Sequence, residues 1–193
     1  MRVTRASISS IAARSGDAMD LLDRLLGHDA WTTRKLLQLS APLTDQQLDQ
    51  EFDIAHRTVR ATFIHIIANI ETWTDLMCGN PMRKARGQAI PELIQRLDLA
   101  AAALAKMARD ISRRDAWDER FVDVLEDPPR EKTFGGGIAH VITHSMHHRA
   151  QLLYMLRRLG VTELPEGDVL SWEKQAQHAI INRENVDARQ TNS

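Results

Sequence analysis

The sequence predicts an all-α protein: a four-helix bundle with a short non-helical insertion before the last long helix and a short C-terminal helix. Two observations predict it. Four long segments carry apolar residues at alternating three- and four-residue spacing, the period of a helix with one buried face. Proline and glycine sit between these segments rather than inside them.

The first segment runs from about Asp17 to Leu39, with Leu21, Leu22, Leu25, Leu26, Trp31, Leu36 and Leu37 as its apolar set. Pro42 and "LTDQQL" break the pattern. The second runs from about Ala55 to Cys78, on a stripe of Val59, Phe63, Ile66, Ile70, Trp73 and Met77, and Gly79-Asn80-Pro81 stops it. Pro91 suits the first turn of a third helix. Leu93, Ile94, Leu97, Leu104, Met107 and Ile111 carry that helix to about Arg113. Residues 115–134 lack helical period and read as two short extended pieces around an Asp127-Pro128-Pro129 turn. The fourth helix is expected after the Gly135–Gly137 run and ends at Gly160. A short helix follows at about 168–181. One domain, 1–182, is expected, with a disordered tail over 183–193.

Composition narrows the function classes. The chain of 193 residues carries 25 basic and 26 acidic side chains, so no basic excess points to nucleic acid. No apolar run is long enough for a membrane helix. Cys78 is the lone cysteine, which excludes an internal disulfide and suits a reducing compartment. The opening "MRVTRASISSIAARSG" has the arginines and serines of a mitochondrial presequence, but reads more simply as a lead-in to the first helix. It has no signal-peptide core, and a cytoplasmic location is expected.

The chemistry concentrates in "HVITHSMHHRAQ", residues 140–151, which holds four of the eight histidines. At about 100° per residue, His140, His144, His147 and His148 all face one way, beside a core stripe containing Val141, Ile142, Leu152 and Leu156. His140 and His148 stand about 12 Å apart along the axis, so one ion cannot take them all. A pair one turn apart is the workable unit, and a third ligand must come from elsewhere. His65 is the first candidate, because small or polar side chains surround it on its helix (Ala61, Thr62, Ala68, Asn69). His28 is the second. His56 lies at the start of its helix, and His178 lies near the end of the chain. A pH switch would need acidic partners on the same face, and a polar helix flank is the plainest alternative.

Other motifs are excluded. "HVITH" has valine where a zincin needs glutamate. No Glu-x-x-His occurs, which removes the di-iron carboxylate bundles. Glu71 and Asp75 read as surface charge, and Cys78 as a small buried hydrophobe. Trp117 and the loop after it are candidates for a pocket lid. Arg149 falls inside the apolar stripe, where a charge needs a buried partner.

"TFIHIIANIETW" (62–73) and "HVITHSMHHRAQ", with a weaker match in "LLGHDAWTTRKLL" (25–37), resemble the DinB-like (damage-inducible, YfiT-like) family of metalloenzymes. The similarity spans about residues 17–160. Ala150 stands where the family pattern often has glycine. The resemblance implies a four-helix bundle, often a homodimer, with a divalent metal on His65, His144 and His148. His140 and His147 would then lie around the ligands or line the cavity. Zinc or nickel is the expected ion, with iron and manganese as alternatives. Some members of the family are transferases or isomerases that use a low-molecular-weight thiol such as bacillithiol or mycothiol. A metal-dependent thiol S-transferase acting on a small molecule is therefore the leading functional expectation. A non-catalytic metal-binding stress protein and a metal-dependent hydrolase are the alternatives. No nucleic-acid or membrane partner is expected.

Overall fold

Asp20 opens the first helix by accepting a hydrogen bond from the Asp23 N–H (2.7 Å), which satisfies one of the donors left free at a helix start. Helix α1 spans Leu21–Ser40. The structure is a computed structural model and describes residues 19–84 and 86–175. The opening segment, His178 and the expected tail lie outside these residues.

Helix α2, Asp45–Leu48, forms where only a break is expected. Thr44 and Gln47 make a reciprocal capping box, which Thr-x-x-Gln encodes directly. Helix α3 spans Val59–Met77 and starts four residues later than its apolar pattern suggests. The cause is local. Arg57 adopts a positive φ of 64°, and Thr58 then caps the helix by accepting from the Ala61 N–H (3.0 Å). Helix α4, Ile90–Arg113, has Pro91 in its first turn, and the Glu92 carboxylate accepts from the Gln88 and Ala89 N–H groups.

The predicted extended pieces form a hairpin. Strand β1 (Arg120–Asp123) pairs antiparallel with β2 (Arg130–Thr133), with Arg120 opposite Thr133. Helix α5, Phe134–Arg158, begins before the glycine run rather than after it. The Phe134 and Gly135 N–H groups donate to the Glu119 and Trp117 carbonyls, and Thr133 Oγ1 accepts from Gly136. The first turn is thus satisfied by the preceding loop, and the glycines lie inside it. Gly160, at φ +85°, turns the chain out of the helix. A last helical stretch covers 169–175.

Helices α1, α3, α4 and α5 make the bundle. Both α1 and α3 pack against α4 and against α5, so α1 faces α3 across the core. Leu36, Leu37, Phe63, Ile66, Ile70, Leu93, Leu97, Val141, Leu152 and Leu156 fill the centre. Beyond Gly160 the chain returns over α1. There the Trp172 ring comes so close that a Cβ on Gly27 would stand 2.6 Å from it. No helix among the described residues is long and apolar enough to cross a membrane.

Two charges depart from the sequence reading. Glu71 and Asp75 are buried rather than solvated. Each is neutralised by an arginine the helix pattern cannot show. Arg96 of α4 holds Glu71 (2.8 Å), and Arg83, in the loop after α3, holds Asp75 (2.5 Å). Cys78, expected buried, is exposed at the α3 C-cap.

Candidate metal centre

The neighbouring helices α3 and α5 place His65 opposite His144 and His148. His144 Nε2 lies 3.3 Å from His65 Nε2 and 3.2 Å from His148 Nε2. A hydrogen bond explains at most part of this. A ring nitrogen carries either one proton or one lone pair. A single proton on one of the three leaves the other two as bare lone pairs turned toward the same small space. Three imidazole lone pairs converging in this way suit a cation.

The donors are in the right state. Burial lowers the His65 pKa to about 4, with the neighbouring His56, His148 and His144 adding to the effect. Burial, then His148 and His140, lower His144 to about 4 as well. Burial also pushes His148 down, against the opposing effect of the hydrogen bond its ring donates to Gln151. These rings are neutral at neutral pH, as metal ligands must be. Among the described residues the grouped donors are all histidines, so the donor set suits borderline ions such as zinc or nickel.

Side chains around the cluster orient it. His148 Nδ1 donates to Gln151 Oε1 (2.9 Å), which leaves its Nε2 lone pair facing the cluster. The Gln151 amide nitrogen in turn donates to His147 Nε2 (2.9 Å). On the other side His140 packs between His144 and Trp73, with ring centroids 5.1 and 4.8 Å apart. The Lys132 ammonium lies over the Trp73 ring and is held by Asp123 (2.8 Å) and Glu126 (2.5 Å). A cavity of about 400 Å³ opens here, lined by Trp73, Lys132, Thr133, Gly136, Gly137 and His140. His144 Nδ1 is buried without a hydrogen-bond partner among the described residues.

Sequence reasoning missed His56. It sits in the loop before α3, yet its ring stacks on His65 at 3.8 Å and lies 4.9 Å from His148. The ligand atoms of His56, His65 and His148 all fall within 4.8 Å of one another and could hold a metal ion. This set differs by one member from the set the resemblance implies, with His56 in place of His144. The contact spacing of His144 keeps it in the same cluster. A helical reading of 55–58 hides His56, because the sharp turn at Arg57 is what folds it back.

Other expectations resolve differently. His28, the second candidate for a third ligand, is committed elsewhere: its Nε2 bonds the Gly167 carbonyl (2.9 Å). Trp117 lines a separate, largely apolar groove with Leu21, Leu22, Leu25 and Ile138, and no described histidine is in its lining. Arg149 finds its buried partner in Asp29 of α1.

The fold and this cluster define a helical-bundle protein with histidines placed to hold a metal ion. It belongs to the DinB family, whose model matches residues 17–184. Among solved structures it is similar to a DinB-like protein from Bacillus cereus ATCC 10987, at 18% identity and a TM-score of 0.57, covering 76% of this chain and 97% of that one. It is also similar to the DinB-like protein YjoA from Bacillus subtilis, at 16% identity and a TM-score of 0.57, covering 75% and 97%. At these identities the likeness concerns the fold. No curated protein matches the chain.

Proposed function

We propose that this protein binds one divalent metal through His65, His144 and His148 and uses it in a transferase reaction with a low-molecular-weight thiol. The observation that carries the reading is the approach of both His65 Nε2 (3.3 Å) and His148 Nε2 (3.2 Å) to His144 Nε2. A bound divalent ion supplies Lewis-acid polarisation and lowers the pKa of a coordinated thiol or water. The chain's own residues supply the rest. Gln151 fixes the His148 ring. Trp73 and His140 form an aromatic wall beside the cluster. The cavity they line has the size of a small-molecule site. The same reading takes the substrate as a small electrophile, the assembly as a homodimer and the compartment as cytoplasmic. The resemblance to thiol-using members of the family supports these choices.

Elemental analysis of untagged wild type and His65→Ala tests the metal. About one ion per wild-type chain and a large loss in the variant support the site. No metal in either, after reloading with zinc or nickel, removes it. Thiol addition to a model electrophile, abolished by a chelator and restored by metal, tests the reaction. Activity indifferent to the chelator excludes it.

A further inference from the structure

The loop between α2 and α3 presents His56 to the cluster by a specific fold. The Arg57 N–H donates to the Ile54 carbonyl (2.8 Å) and the Phe52 N–H to the Arg57 carbonyl (2.7 Å), which closes a tight turn. The Thr58 N–H donates to the His56 carbonyl (2.7 Å). Positive φ at Arg57 makes the reversal. The Phe52 ring meets Tyr154 of α5 edge-on (6.5 Å), which anchors the far side of the loop. The result is a half-buried imidazole lying flat on His65 (28° between planes) and near His148. Nitrogens around a tetrahedral ion lie about 3.4 Å apart, given a metal–nitrogen distance of about 2.1 Å. The ligand atoms of His56, His65 and His148 lie within 4.8 Å of one another, so a closing shift of at most about 1.5 Å brings them to that spacing. A loop makes such a shift more easily than a helix does.

Resting on the metal reading above, we propose that His56 is a fourth ligand, carried by the loop, and that it holds the coordination position an external thiol must take. The three helical histidines then fix the ion, while His56 sets how readily it accepts a ligand. A thiol binds only to the fraction of molecules in which His56 has moved off, so His56 weakens apparent thiol affinity by that fraction.

The test uses cobalt(II) as the metal and 2-mercaptoethanol as the thiol, with wild type, His65→Ala, His56→Ala and His56→Phe. Cobalt content and the visible absorption of the loaded protein are read first, then thiol affinity by titration. The expected result is about one cobalt per chain in wild type and both His56 variants, with His65→Ala largely metal-free. Both His56 variants change the visible spectrum and bind the thiol about tenfold more tightly than wild type. Phenylalanine keeps a stacking ring but has no ligand atom. If His56→Phe matches wild type in spectrum and thiol affinity, His56 only stacks and the proposal is overturned. An unaltered spectrum in His56→Ala overturns it as well, while leaving the three-histidine site standing. A wild type that takes up no cobalt removes both. Circular dichroism checks folding, and His56 sits on a surface loop where truncation leaves no core cavity.

Discussion

Arg149 of α5 donates to the Asp29 carboxylate of α1, and the two side chains are only 3% and 4% exposed. The same arginine nitrogen reaches Thr33 Oγ1 (3.3 Å) and the Asp29 carbonyl (3.3 Å). Removing one partner leaves a buried charge without compensation. Asp29→Ala is expected to cost about 3–5 kcal/mol in urea unfolding of the metal-free protein. Replacing both with apolar residues, Asp29→Leu with Arg149→Met, is expected to recover most of that loss. A double variant as unstable as the single would show that the pair does more than neutralise itself.

Gln151 orients His148 without being a candidate ligand. Gln151→Ala is expected to lower metal affinity about 10- to 100-fold while the fold stays intact. Competition against a chromophoric chelator measures this. Gln151→Glu keeps an acceptor for His148 Nδ1 and is expected to bind at least as tightly as wild type. Equal affinity in wild type and Gln151→Ala would falsify the orienting role.

Acidification acts on the cluster in a definite direction. His65 and His144 have pKa values lowered from 6.5 to about 4 in the folded protein. The unfolded chain therefore binds more protons than the folded one between pH 6.5 and 4, and stability falls as the pH drops through that window. The loss saturates below about 4. The metal-free protein is expected to show a falling Tm across this range. The slope is expected to flatten in His65→Ala, which lacks one of the two groups. Metal is released on the same acid side, because protons compete for the imidazole lone pairs.

The returning C-terminal segment depends on a missing side chain. A Cβ at Gly27 would meet the Trp172 ring at 2.6 Å, so Gly27→Val is expected to displace that ring. Overpacking of this kind costs about 1–3 kcal/mol. Tryptophan emission and limited proteolysis within 161–175 report the displacement. Adding Trp172→Ala to Gly27→Val is expected to remove the clash but not restore the docking. An unchanged emission spectrum in Gly27→Val argues against the close approach.

Periodicity carried much of the reading. The apolar stripes of α3 and α4 and the breakers around them give the bundle. The spacing of His144 and His148 puts them one turn apart on one face, which any regular helix would do. What the sequence hides depends on other segments. Glu71 meets an arginine 25 positions on, and Arg149 an aspartate 120 positions back. A helical wheel shows which way a charge points but not what waits there. His56 is hidden for another reason. Its position rests on one left-handed residue, Arg57, of a type that seldom adopts that conformation. By contrast, Thr-x-x-Gln encodes the capping box at Thr44 directly, but the single-turn helix it starts is too short to carry an apolar period.

His148 and Arg149 are consecutive, so they leave α5 about 100° apart. One side chain enters the histidine cluster, and the other is locked to α1 through Asp29. A roll of α5 about its own axis, enough to move His148 out of register with His65, would drag Arg149 off its carboxylate. The helix is keyed on two sides at once. Such a site is set when the chain folds rather than when the ion arrives, and metal loading should leave amide exchange in the α5 backbone nearly unchanged.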